Sequence, residues 1–235
     1  RSLGARGISV CAGAERKTAM ALHSKYVQST FVYTSPKVSQ GDFLKELKKQ
    51  AELIFKETGE KPMVYCFSDA THLAVVRQYQ SLSPVLIFPQ SSIEHVEIAF
   101  DKTLTYELAQ RLNVPIITSF VESDFDTISF PAVVKNRHSV VWKEGKAVAG
   151  TADFVFSKEE LQKKFTALRT HTGEAPLVQE FITGDEYGVE MLCSEGKILQ
   201  QFAHKRIRSL SPRGGAAVVK ETASDTLEVL QMKEF

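Results

Sequence analysis

Two lysines stand where a positive charge calls for an anion. The residues around Asp101-Lys102 read as a helix start capped by Asp101, which puts Lys102 at the end where the helix dipole is positive. A lysine there costs roughly a few tenths of a kcal/mol unless an anion joins it. Lys135 closes the apolar run Phe130-Pro131-Ala132-Val133-Val134, so a strand holds its backbone while the ammonium emerges at the strand end, a rigid mount for a phosphate. Taken singly, Lys102 reads as a tolerated surface lysine and Lys135 as one that snorkels to solvent.

Two further stretches carry chemistry. The segment Val178-Gln179-Glu180-Phe181-Ile182-Thr183-Gly184-Asp185-Glu186 joins a buried strand to a hairpin through a glycine turn and crowds three carboxylates around one bend. Those carboxylates could accept hydrogen bonds from ribose hydroxyls or an amino group; alone they read as a solvated acidic turn. His204, Lys205, Arg206, Arg208 and Arg213 form a basic stretch before Gly214-Gly215, or else a solvated edge strand. With no interleaved aromatic platform they are poor nucleic-acid ligands.

The elements that must position these residues follow from spacing. Gly7–Cys11 reads as a buried strand and Thr30–Thr34 as an extended segment. Ser39, with Asp42 three residues on, starts a helix whose apolar Phe43, Leu44, Leu47, Ala51, Ile54 and Phe55 recur until Gly59 stops it. Met63–Phe67, a helix near Thr71–Tyr79 and Val85–Phe88 read as a βαβ unit, hence a parallel sheet, with Ser68, Asp69 and Gln90 beyond its strand ends. From Phe100 the pattern becomes a helix over Asp101–Leu112 and then short strands at Ile116–Val121, Ala132–Lys135, Val140–Trp142, Phe154–Phe156, Leu177–Phe181, Tyr187–Cys193 and Ile198–Ala203. A helix capped by Ser157 and Glu160 interrupts them, and Ser194-Glu195-Gly196 marks a hairpin.

Composition bounds the function classes. At 235 residues, against about 150 per domain, two lobes are expected. Lys+Arg 29 against Asp+Glu 28 leaves a net charge of +1, so no overall field draws the chain to nucleic acid or membrane. Cys11, Cys66 and Cys193 lie far apart and read as buried apolar thiols in a reducing, cytoplasmic setting. Gly-x-Ser-x-Gly is absent and the six histidines are scattered, which disfavours hydrolases; Cys11-Ala12-Gly13-Ala14-Glu15 stands where a dinucleotide-binding glycine motif would follow the first strand.

Taken in order, Asp101-Lys102 opening a helix, the Phe-Pro-Ala-Val-Val-Lys strand, and the run Leu-Val-Gln-Glu-Phe-Ile-Thr-Gly-Asp-Glu make the chain resemble the ATP-grasp superfamily, including carboxylate-amine ligases and the large subunit of carbamoyl-phosphate synthase. The resemblance runs from about Leu86 onward. It implies an α/β plus α+β chain: a Rossmann-like pre-ATP-grasp domain over 1–97, an ATP-grasp small lobe over 98–182, and the start of a large lobe over 183–235, truncated at both ends. It also implies that Lys102 and Lys135 contact nucleotide phosphates, that the backbone of Glu180, Phe181 and Ile182 pairs with the adenine edge beside Gln179, that Glu186 binds the ribose, and that Arg206 and Arg208 face the acyl phosphate or substrate carboxylate. ATP and Mg²⁺ are the implied cofactors. The partners are small-molecule carboxylate and amine substrates, with no nucleic acid, no membrane and a possible homodimer.

Two departures from that pattern bear on mechanism. Many ATP-grasp proteins follow the strand lysine with a glycine-rich loop, whereas Asn136-Arg137-His138-Ser139-Val140-Val141-Trp142 stands here, with Arg137, His138 or Ser139 as substitute phosphate donors and Trp142 packing a hairpin. The Glu-x-Asn metal pair is also missing, and none of Glu221, Asp225, Glu228 and Glu234 is assigned to Mg²⁺. Two functions remain: an ATP-dependent ligase activating a carboxylate for attack by an amine or thiol, and a non-catalytic nucleotide-binding or regulatory module.

Overall fold

A computed structural model describes residues 1–89, 92–143, 146–149, 151–211 and 214–223, with side chains in 142–150 and 211–216 not described. These residues form a mixed α/β fold of several small sheets. They fall into two compact units that interleave along the chain. The first comprises Arg1–Leu108, Lys135–Ala152 and Lys164–Leu177; the second comprises Ala109–Val134, Asp153–Lys163 and the residues from Val178 onward.

In the first unit, β1 (Cys11–Ala14) pairs in parallel with β2 (Ser29–Val32). Helix α1 (Gln40–Thr58) starts where the Ser39 hydroxyl accepts the Asp42 amide at 3.2 Å. It ends where Gly59, at φ 75°, donates its N–H to Phe55 O at 2.8 Å, a left-handed stop that costs glycine nothing. Its buried face, Phe43, Leu47 and Ala51, meets Leu73, Val75 and Val76 of α2 (Asp69–Arg77), then Leu82 of α3 (Tyr79–Leu82), Leu86, Phe88 and Val96 of α4 (Ile93–Phe100). Each fully buried large apolar side chain in this core is worth about 1.5–3 kcal/mol. Helix α5 (Lys102–Arg111) begins in this unit.

The second unit holds most of a four-stranded sheet ordered β3-β8-β4-β7, where β3 is Ser119–Phe120, β4 Ala132–Lys135, β7 Ala152–Val155 and β8 Leu177–Glu180, the end residues Lys135, Ala152 and Leu177 belonging to the first. Val134, Val155 and Val178 are wholly buried in it. Strands β5 (Val140–Lys143) and β6 (Lys146–Ala149) form a separate hairpin in the first unit. Helix α6 (Lys158–Thr172) buries Leu161 and Phe165. Ser157 Oγ accepts its Glu160 amide, while Glu160 Oε2 accepts from Phe156 N, one residue before the cap. Three long antiparallel strands follow, β9 (Glu186–Ser194), β10 (Lys197–Ser211) and β11 (Gly214–Thr222), with β10 central. The β9–β10 turn has positive φ at both Glu195 (49°) and Gly196 (74°), as a tight two-residue hairpin requires.

Several sequence expectations need correction. The βαβ unit keeps its helix, but its strands shrink to one parallel bridge, Met63 to Ile87, closed by Val64 N to Ile87 O at 2.8 Å and Ile87 N to Pro62 O at 2.9 Å. Tyr65 and Phe67 are exposed, Phe67 at 96%, so that apolar run is not the buried strand it resembles. The β1–β2 pair is a sheet of its own, and the Met63–Ile87 bridge lies outside the named strands. The first strand begins at Cys11, after a 3₁₀ turn at Gly4–Arg6. Of the thiols, Cys193 is exposed and Cys11 and Cys66 are half-buried. Gln90, Arg213, Asp225, Glu228, Glu234 and the side chain of Trp142 lie outside the described residues.

Candidate functional site

The cationic part of the site is built at the N-terminus of α5. Asp101 Oδ1 accepts the amides of Thr103 at 2.9 Å and Leu104 at 3.4 Å, the capping expected from its position. Lys102 and Tyr106 are four residues apart and share a helix face. Lys135, leaving the end of β4, donates from Nζ to Tyr106 Oη at 3.2 Å, and its ammonium lies 5.7 Å from the ring centroid. Lys102 Nζ donates to Arg137 O at 3.2 Å and reaches Ser139 Oγ at 3.5 Å. Burial, and after it the nearby Lys135 charge, depress the Lys102 ammonium below the usual lysine range, against weaker opposite pulls from Tyr106, Asp69 and Asp101. The Lys135 charge thus acts against that of Lys102, a repulsion that a polyanion bound by both would relieve. A cleft of about 290 Å³ opens beside Lys102, lined by that residue with Asp69, Ala99, Phe100 and Ser139; Lys135 is not part of its lining.

The turn after β4 is held by side chains. Arg137 Nε lies 2.7 Å from both Asp101 carboxylate oxygens, and its Nη2 also meets Oδ2. His138 bridges two carboxylates, with Nδ1 2.8 Å from Glu174 Oε2 and Nε2 3.5 Å from Asp101 Oδ2. Backbone joins in, through the Asp101–His138 antiparallel bridge and the Lys102 amide donating to Arg137 O at 3.3 Å. Burial pushes the Asp101 carboxyl up, but the Arg137 hydrogen bond, the Thr103 amide and the Arg137 and His138 charges together hold it below the usual carboxylate range. Arg137 and His138 therefore face carboxylates, and of the three residues Ser139 is the one lining the Lys102 cleft. Asp69, which the sequence places beyond a strand end, does line the Lys102 cleft, whereas Tyr106 and Glu174 were missed by sequence reasoning. Only Tyr106 left a signal, its four-residue spacing from Lys102.

The remaining candidates lie in the second unit. Gln179 is 1% exposed and donates from Nε2 to Ser119 Oγ at 2.9 Å. The Glu180 amide donates to Thr118 O at 3.1 Å, and its carboxylate accepts the Thr118 amide at 2.9 Å. Phe181 and Ile182 follow outside the strand, 41% and 62% exposed, with Phe181 edge-on to Phe154 at 5.2 Å. Glu186 pairs with Arg206 at 2.8 Å across β9 and β10, and Asp185 accepts from Lys205 at 2.5 Å, so these two basic residues face carboxylates. Arg208 is exposed on β10, in register with Val219.

Burial pushes the Cys66 thiol up to about 11, with a Thr71 hydrogen bond pulling the other way, so Cys66 is not poised as a nucleophile. Among the described residues no three His, Cys, Asp or Glu side chains gather to hold a metal ion, and no helix is long and apolar enough to cross a membrane.

Neither the known protein-family models nor the curated protein sequences contain a match to this chain. Solved structures do match. The L-amino acid ligase of Bacillus licheniformis superposes with a TM-score of 0.65 at 16% identity, covering 97% of this chain and 52% of that one. Phosphoribosylglycinamide synthetase from Anaerococcus prevotii gives 0.57 at 16%, covering 98% and 55%. The biotin carboxylase domain of a thermophilic 2-oxoglutarate carboxylase, bound to bicarbonate, gives 0.55 at 14%, covering 91% and 47%. This chain has the ATP-grasp fold that these proteins share. It spans about half the length of the structures it matches.

Proposed function

We propose that the protein is an ATP-dependent ligase that activates a carboxylate as an acyl phosphate for attack by an amine or thiol. The observation that carries this reading is that α5 both presents Lys102 at its start and, one turn on, holds Lys135 through Tyr106 Oη at 3.2 Å, with the Lys135 charge bearing on Lys102. Two ammonium groups so placed would offset much of a polyphosphate's charge and fix its direction. The substrate carboxylate oxygen would attack the terminal phosphoryl group as ADP leaves; the amine or thiol would then attack the acyl carbon and expel phosphate. Catalysis of this kind rests on positioning and charge neutralisation and needs no side-chain nucleophile.

In the second unit, the roles proposed are the adenine edge for the Glu180, Phe181 and Ile182 backbone with Gln179, the ribose for Glu186, and the acyl phosphate or substrate carboxylate for Arg206 and Arg208. Mg²⁺ would supply further charge neutralisation on the phosphates; no protein ligand for it is assigned. Residues 1–97 are proposed as the preceding, Rossmann-like domain. ADP release by the full-length protein, assayed with a panel of carboxylates and amines, tests the reading. Turnover that depends on a carboxylate and is lost in Lys102→Met supports it, whereas retained ATP binding with zero turnover throughout favours a regulatory module.

A further inference from the structure

We propose that Asp101, Arg137, His138 and Glu174 form a latch that positions the phosphate-binding end of the site, acting through Lys102 and Ser139 without touching the ligand. This rests on the nucleotide reading above and adds to it the device that shapes the subsite.

The geometry carries the inference. Asp101, whose side chain is 7% exposed, caps α5 with Oδ1 and uses both oxygens on the Arg137 guanidinium. One carboxylate thereby ties the helix that presents Lys102 to the turn that presents Ser139. His138 extends the tie to Glu174, beyond the end of α6, at 2.8 Å. What the tie fixes is the Arg137 carbonyl, which accepts from both the Lys102 amide at 3.3 Å and the Lys102 ammonium at 3.2 Å. The ammonium is thereby aimed into the cleft beside the Ser139 hydroxyl. A glycine-rich loop would offer bare amides and conformational freedom; this turn instead offers one hydroxyl and one ammonium held in advance, so less ordering is needed when the anion binds. Arg137, though near Ser139 in sequence, does not line the cleft and turns its Nε and Nη2 to Asp101, which makes it a positioning residue.

The sign of one substitution separates this from direct contact. Asp101→Asn keeps a good helix cap but breaks the ion pair. Removing a negative charge near a polyanion site by itself tightens binding, and freeing Arg137 would tighten it further if Arg137 were a ligand. The latch predicts the reverse: Mg-ATP binding to the full-length protein, measured by calorimetry, weakens at least about threefold in Asp101→Asn and in Glu174→Gln. In the Lys102→Met background Asp101→Asn costs clearly less than it does in the parent, because the charged one of the two groups the latch positions is already gone and only Ser139 is left to misplace, whereas general loosening would cost as much again. Unchanged or tighter binding in both single variants, with Lys102→Met still weakened, overturns the latch and leaves the nucleotide reading intact. Full affinity in Lys102→Met overturns both. Should Asp101→Asn fail to fold, Glu174→Gln carries the test, since that side chain is 34% exposed and caps nothing.

Discussion

Replacing Lys102 with methionine should strengthen the ligand-free protein while weakening its hold on nucleotide. Methionine keeps the length of the side chain and removes a half-buried charge at the positive end of α5 that also faces Lys135. The dipole contribution alone is about 0.3–1 kcal/mol. The lost hydrogen bonds orphan nothing: Arg137 O still accepts the residue's own amide at 3.3 Å, and Ser139 is exposed enough to turn to water. A net gain of about 0.5 kcal/mol follows, a rise of about 1–2 °C in melting temperature. The folded-state pKa of Lys102 lies below its ordinary value, so just under about pH 10.4 the unfolded chain binds more protons and stability climbs with pH; the variant lacks that climb. For binding, loss of a charge-assisted bond to phosphate costs about 1.5–3 kcal/mol, roughly tenfold to a hundredfold in Kd. Melting curves and calorimetry with and without Mg-ATP read both quantities. A variant that melts lower without ligand yet binds Mg-ATP as tightly as the parent would refute the reasoning.

Lys135→Ala should weaken Mg-ATP binding at least about tenfold, or about 1.4 kcal/mol, and a change below about twofold by calorimetry would contradict its role as a phosphate clamp. Because Asp101 is held below the ordinary carboxylate pKa, its stabilisation is complete above about pH 4 and is lost as pH falls through its folded value; Asp101→Asn should flatten that part of an acid-unfolding curve, and an unchanged acid limb would count against the pairing. Gly188→Ala should destabilise the β9–β10 ribbon by about 1–3 kcal/mol, since its new Cβ would lie 2.6 Å from Cε1 of the buried His204 ring, which Glu190 holds at 2.9 Å; hydrogen exchange along β9 would reveal the loss.

Elements whose signals are local could be read directly from the sequence. The Ser39 cap, the apolar stripe and Gly59 delimit α1 because all three act within one helix, and the Ala132–Lys135 run sits in β4 as its spacing predicts. Met63–Phe67 misled because a short apolar run does not reveal its partners, and with one bridge to Ile87 half of it stays in water. The helix Ile93–Phe100 was missed although Ser92 accepts the His95 amide at 3.5 Å, a capping signal in plain sight. In the candidate site, Lys102 and Lys135 were legible from their element ends. Their link through Tyr106, and the pairing of Asp101 with Arg137 across 36 positions, depend on tertiary contacts that no local pattern encodes.

The most direct test is a structure of the full-length protein with a non-hydrolysable ATP analogue. The account predicts both lysine Nζ atoms, on α5 and at the end of β4, within about 3.2 Å of oxygens on the same polyphosphate. Phosphates bound elsewhere, with Lys102 still donating only to Arg137 and Ser139, would contradict it.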